Sequence, residues 1–265
     1  MYATPRARLA GATAIGVLIA ALPATVAHAA DRTVRVSVAT DGTQATSDSH
    51  QPSISGDGRY VAYQSTADDI VTQPVSDGAN VYLYDRQLGT TRLVSTPKTG
   101  APAASAASGS AEVSGDGRYV TFTSNAANLV PGDANATTDV FLWEAATGTT
   151  VPVSATPAGV PGNGTALSPR VSADGRYVTF WSNAKDLTGY DIPWQLQVFR
   201  FDRLSRTNIL VAVPRHGTDG GGEHSDISAD GQFVAYDSQG TGLVAGDTNG
   251  RFDIFRMEIP RPITR

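Results

Sequence analysis

The sequence predicts an all-β fold, a β-propeller of four blades with four antiparallel strands each. Three observations predict it. First, one phrase occurs four times: Ser-Gly-Asp-Gly-Arg-Tyr at 55–60 and 114–119, Ser-Ala-Asp-Gly-Arg-Tyr at 172–177, and Ser-Ala-Asp-Gly-Gln-Phe at 228–233. Its aspartates, Asp57, Asp116, Asp174 and Asp230, lie 59, 58 and 56 residues apart, a period that marks repeat architectures. Second, every repeat divides into the same strand-like pieces. Third, the last repeat lacks a fourth strand, while the N-terminal region carries an orphan strand pattern that could supply it.

The elements follow in order. Residues 1–29 combine Arg6 and Arg8, an apolar run from Leu9 to about Val26, and Ala27-His28-Ala29. This is the pattern of a secretory signal peptide cut after Ala29; an uncleaved anchor is the alternative. Residues 30–265 then form a single propeller domain. Thr33-Val34-Arg35-Val36-Ser37-Val38 reads like the fourth-strand segment Thr91–Ser95. Within each repeat a short first strand (52–55, 111–114, 169–172 and 225–228) precedes Asp-Gly, a strong hairpin signal because glycine accepts positive φ and aspartate bonds nearby amides. The second strands (59–63, 118–122, 176–180, 232–236) are aromatic and β-branched, as strands are. A loop of about 15 residues follows, with an apolar peg at Ile70, Leu129, Leu187 or Leu243. Third strands occupy 81–85, 140–144, 198–202 and 254–258, and fourth strands Thr91–Ser95, Thr149–Ser154 and Thr207–Val211.

Pairing of residues 33–38 with the last repeat would close a ring of four blades and remove its exposed sheet edges. The alternative is an open half-ring that completes an eight-bladed dimer. The Ser-x-Asp-Gly-(Arg/Gln)-(Tyr/Phe) phrases, with strands such as Val81-Tyr82-Leu83-Tyr84-Asp85, resemble the WD-like β-propeller repeat of TolB type, also found in secreted bacterial proteins. That resemblance covers essentially the whole chain after the leader and implies fold, export and a binding role. It departs in blade number, since TolB's own propeller has six, and TolB's helical domain has no counterpart here.

Charge and composition narrow the partners. The chain has 20 Lys+Arg and 25 Asp+Glu. Without Arg6 and Arg8 the balance is 18 against 25, a net charge of −7. That argues against nucleic acid and anionic membrane, which need clustered positive charge. No later stretch approaches the ~20 apolar residues that span a bilayer, so no membrane insertion is expected after cleavage. With no cysteine there is no disulfide or thiolate metal site. Only two lysines accompany eighteen arginines, which suggests GC-rich coding and a bacterial source. The expected product is a secreted monomer.

Residues that differ between repeats are better functional candidates than those that recur. Ser53, Glu112, Arg170 and Asp226 hold equivalent first-strand positions, and the last three would form a polar cluster on the axis or an ion-pair plug filling it. Trp194 departs from the repeat and offers an aromatic surface for a sugar or protein partner. His50, His216 and His224 are candidates for acid–base chemistry, or simply solvated loop residues. Asp133, Asn135 and Asp139, echoed by Asp247, Asn249 and Asp253, place oxygen side chains within one turn; this suits a hard cation such as Ca²⁺ or a capped turn. The recurring arginines Arg59, Arg118 and Arg176 are expected to lie over neighbouring blades and pair with the acids that end the third strands, Asp85, Glu144, Asp202 and Glu258.

No Gly-x-Ser-x-Gly, His-Glu-x-x-His or phosphate-loop pattern occurs, so no catalytic residue is assigned. Three functions compete. The first is a non-catalytic module binding an extracellular protein or cell-wall glycan. The second is a polysaccharide lyase or hydrolase with its site on the axis. The third is a calcium-stabilised structural module.

Overall fold

The computed structural model describes residues 33–97, 99, 101–103, 107–189, 196–215 and 220–260. The expected leader at 1–29, Trp194 and His216 lie outside the described residues. Contacts divide the chain into Met1–Val34 and Arg35–Arg265, and every sheet belongs to the second unit.

Fifteen strands make four antiparallel sheets, and among the described residues there is no helix. The first sheet is β1 (Ser49–Ile54), β2 (Tyr60–Ser65), β3 (Asn80–Asp85) and β4 (Thr90–Leu93). The second is β5 (Ser108–Val113), β6 (Tyr119–Ser124), β7 (Asp139–Glu144) and β8 (Thr149–Pro152). The third is β9 (Ala166–Val171), β10 (Tyr177–Ser182), β11 (Gln197–Asp202) and β12 (Thr207–Leu210). The fourth has three strands, β13 (Glu223–Ile227), β14 (Phe233–Ser238) and β15 (Asp253–Glu258). Strand order follows chain order in every sheet, as in a propeller blade.

The repeated phrase builds the first hairpin of each sheet. Gly58, Gly117, Gly175 and Gly231 all have φ between 68° and 71°. In the first sheet Ser55 Oγ donates to Asp57 Oδ1 at 2.7 Å, the Arg59 N–H donates to the same oxygen at 2.9 Å, and the Tyr60 N–H donates to Ser55 Oγ at 3.0 Å. The same three bonds recur around Asp116, Asp174 and Asp230. Aspartates engaged this way are turn scaffolding, as their regularity suggests.

The first strands begin three residues earlier than the sequence indicates in the first three sheets. The reason is a β-bulge in each. Gln51, Ser110, Ser168 and His224 sit at these bulges with positive φ of 52°, 48°, 53° and 31°. Polar residues in a left-handed conformation break the alternation by which strands are recognised.

Each core cluster between consecutive sheets joins the trailing face of one to the leading face of the next. Ala62, Val81 and Leu83 meet Val113, Phe122, Phe141 and Trp143. Val140 and Leu142 meet Val171, Phe180, Phe199 and Phe201. Val198 and Val211 meet Val234 and Tyr236. The pegs Ile70, Leu129, Leu187 and Leu243 are all buried. First strands pack on first strands of the next sheet and so form the inner rim. There the Gly56 N–H donates to Gly115 O (2.9 Å), the Asp116 N–H to Ala173 O (2.9 Å) and the Ala173 N–H to Ala229 O (3.0 Å). Arg92 of β4 crosses to the second sheet, lying 4.6 Å over the Trp143 ring and donating to Ala145 O at 2.6 Å.

Two expectations need correction. Residues 33–38 do not form a strand on the fourth sheet. Their backbone groups bond locally instead: Val38 bridges to Gln44, the Ala39 N–H donates to Thr43 O, and the Ala45 N–H donates to Ser37 O. Among the described residues, β15 therefore has no neighbour on its outer side, and no strand pairing joins the fourth sheet to the first. The arginines also stay within their own sheets. Arg59 forms a two-bond pair with Asp85 (3.0 and 2.6 Å) and Arg176 with Asp202 (3.2 and 2.9 Å), whereas Arg118 turns to Asp116 (2.7 Å). The guanidinium follows its own hairpin because β2 and β10 run antiparallel to the strands that end in those acids.

Candidate functional site on the inner rim

The bulges set the geometry of the inner rim. Each sets one first-strand residue, 53, 112, 170 or 226, opposite Ala62, Thr121, Thr179 or Ala235 on the neighbouring strand. The first of these side chains stitches two sheets together: Ser53 Oγ accepts from the Val113 N–H at 3.1 Å. The series changes at Arg170, which cannot accept, and at Asp226, whose Oδ1 instead takes the Ile227 N–H at 2.8 Å.

Gln51, Pro52, Ser53, Ser110, Glu112 and Arg170 line a cleft of about 360 Å³, together with the adjoining residues of β5 and β9. Glu112 Oε2 is shielded from solvent without a hydrogen-bond partner, and Arg170 Nη1 stands 3.8 Å from it. Burial pushes the Glu112 carboxyl up to about 7, against the attraction of Arg170 and with the added repulsion of Asp226. Desolvation wins because Arg170 is half-exposed and lies beyond hydrogen-bond reach, so water screens much of its field. The result is a carboxyl that takes or gives a proton near neutral pH, beside a cation.

The other expected residues do not join this cleft. Asp226 acts on Glu112 only through its charge and is exposed. His224 is exposed on its own bulge, with Nδ1 3.1 Å from Asp237 Oδ2. His50 is likewise exposed.

The loops suggested for a cation are closed by their own bonds. Asn135 Nδ2 donates to Asp139 Oδ2 (2.8 Å) and Gly162 O (2.5 Å), and Asn135 Oδ1 accepts the Thr137 N–H (2.9 Å). Asn249 repeats this toward Asp253 (3.0 Å) and the Arg251 N–H (2.7 Å). Asp133 and Asp247 are outside these bonds. Among the described residues, no group of three or more His, Cys, Asp or Glu is placed to hold a metal.

One feature escaped sequence reasoning. Gln51 Oε1 accepts the Ser110 N–H of the next sheet at 3.0 Å, so the wall of the cleft is held by an amide whose only signal was its place two residues before Ser53. Among the described residues, no helix is long and apolar enough to cross a membrane.

No family model and no curated protein matches this chain. Among solved structures it is similar to TolB from Acinetobacter baumannii, at 16% identity and a TM-score of 0.48 over 80% of this chain and 41% of that one. It is similar to putative TolB from Agrobacterium tumefaciens, at 16% identity and a TM-score of 0.47 over 81% of this chain and 60% of that one. It is also similar to an oligogalacturonate lyase in complex with manganese, at 13% identity and a TM-score of 0.47 over 81% of this chain and 52% of that one. The chain thus spans between 41% and 60% of these structures, and the likeness concerns the fold alone.

Proposed function

We propose that this chain is an exported, non-catalytic propeller-type binding module that holds an extracellular protein segment or cell-wall glycan in the inner-rim cleft. The observation that carries this reading is Glu112 Oε2, shielded from solvent, unpartnered and beside Arg170 in a polar cleft. An unsatisfied buried acceptor costs about 1–3 kcal/mol, and a ligand hydroxyl or amide would remove that cost on binding. Arg170 would supply a second, charged donor.

Calorimetry against cell-wall oligosaccharides and extracellular peptides tests the proposal. Glu112→Ala and Arg170→Ala are each expected to weaken the best ligand at least tenfold, with melting unchanged within a few degrees. Undiminished binding in both variants, or no binder in the panel, would remove it.

The carboxyl near pH 7 favours a second reading, acid–base cleavage of a polysaccharide. It predicts turnover that Glu112→Gln abolishes; binding without turnover retires it. Calcium at Asp133–Asp139 and Asp247–Asp253 would require Asn135 and Asn249 to turn their carbonyls toward Asp139 and Asp253. That role predicts a melting temperature lowered by a chelator, with the effect lost in the Asp133→Ala, Asp247→Ala double variant. Melting that is indifferent to the chelator discards it.

A further inference from the structure

The two ends of the arc carry the two halves of one interface. Between consecutive sheets, the trailing residue Val81 shares a cluster with the leading residue Val113. At the trailing position Val81, Val140 and Val198 are all 0% exposed, whereas Ile254 of the fourth sheet is 79% exposed. Beside it, Ala235 is exposed where Ala62, Thr121 and Thr179 are fully buried. At the leading position Val113 and Val171 are 4% and 8% exposed, whereas Ile54 of the first sheet is 64% exposed. Tyr84 is partly open where its counterparts Trp143 and Phe201 are buried.

The hairpin glycines repeat the pattern. A Cβ on Gly117, Gly175 or Gly231 would run into the Tyr60, Tyr119 or Tyr177 ring of the preceding sheet, while one on Gly58 would meet only Ile54 Cδ1 at 3.9 Å. Phe233, the fourth member of the ring series, has no following sheet to lie against among the described residues.

We infer that the trailing face of the fourth sheet packs on the leading face of the first sheet of a second copy of this chain, and that two arcs close one ring. The occupant is specified by the molecule itself, because three internal junctions show what this pair of surfaces binds. A second copy rather than self-closure follows from Ile54 and Ile254 both standing open in one chain. The contact is head-to-tail, a type that forms a ring when its rotation closes. It also brings the Val36-Ser37-Val38 segment, tied to the first sheet through Ala45 and the Thr46–Asp69 bond, toward the unpaired edge of the partner copy's fourth sheet. An open edge of this kind invites strand addition.

The absence of cysteine makes the test direct. Purified Ile54→Cys and Ile254→Cys variants are treated with a short bis-maleimide, separately, mixed after dissociation and re-association, and as the double variant. A covalent two-chain product in the mixture and in the double variant, absent from each single variant, is expected. Sedimentation of the unmodified chain is expected to give twice the chain mass, and Ile254→Asp half of that with melting retained. A cross-link confined within one chain, the absence of any cross-link, or assemblies larger than two chains would each overturn the inference. These readouts are independent of Glu112, so ligand binding can fail while ring closure stands.

Discussion

Gly175→Ala is expected to melt on the order of 10 °C below the unmodified chain, and Gly58→Ala only about 3 °C below, at 2–4 °C per kcal/mol for a chain of this size. Both glycines have φ of +68°, so both variants carry the left-handed penalty of about 1–2 kcal/mol for an L-residue. They differ in what the new methyl meets. At Gly175 it runs into the Tyr119 ring, itself 5% exposed and held by Arg203 4.3 Å above it. The ring cannot yield without disturbing the second junction, and overpacking of this kind adds about 1–3 kcal/mol. At Gly58 the nearest atom is 3.9 Å away. Thermal melts of the two variants side by side measure the junction contribution, with backbone strain held equal. Equal losses would show that the tyrosine–glycine contact does not lock the sheets together.

This contrast shows what was legible in the sequence. The Asp-Gly period, the aromatic second strands and the buried pegs are local patterns, and each element follows from its own residues. The equivalence of Ser53, Glu112, Arg170 and Asp226 followed from counting back from the Asp-Gly turns. What did not follow is the status of the chain's ends. The Val34-Arg35-Val36-Ser37-Val38 pattern matches a fourth strand in composition, but strand pairing is non-local. The Asp41-Gly42 turn gave that segment a closer partner, as Asp41 Oδ1 accepts both the Thr43 N–H and its hydroxyl at 2.9 and 2.7 Å. The unsatisfied oxygen of Glu112 was likewise invisible, because it depends on the 3.8 Å at which two neighbouring sheets set Arg170 from Glu112, short of a hydrogen bond.

The chain should be most stable in mildly acidic solution, and Asp139→Asn should remove much of its loss toward neutrality. Asp139 is fully buried, and burial pushes its carboxyl up to about 7 despite hydrogen bonds from Asn135 and Ser154. Glu112 is raised to a similar value, also by burial. Below pH 4 both groups are protonated in the folded and unfolded chain and contribute nothing. Between about pH 4 and 7 the unfolded chain releases these protons while the folded chain keeps them, so stability falls as pH rises, and above 7 the loss is complete. Asp57, Asp85 and Asp202 act oppositely: hydrogen bonds and arginines hold them below the usual carboxylate range, so their contribution is lost only as pH drops through that lower range. The maximum therefore lies near pH 4–5. Raising the Asp139 carboxyl from its ordinary range to about 7 corresponds to on the order of 4 kcal/mol at most. Asparagine reproduces the protonated acid: its oxygen accepts from Asn135, and its amide donates to Ser154 Oγ, which already accepts the Val140 N–H at 3.0 Å. The fold already accommodates an asparagine at the equivalent strand position: Asn80 is also buried, with Nδ2 donating to Ser76 O (3.1 Å) and Gly78 O (2.9 Å) and Oδ1 accepting from Ser76 Oγ (2.9 Å). Urea unfolding from pH 4 to 8 is expected to show Asp139→Asn matching the unmodified chain at pH 4 and exceeding it by a few kcal/mol at pH 8. Parallel curves for the two proteins across that range would mean that Asp139 titrates in the fold as it does in the unfolded chain.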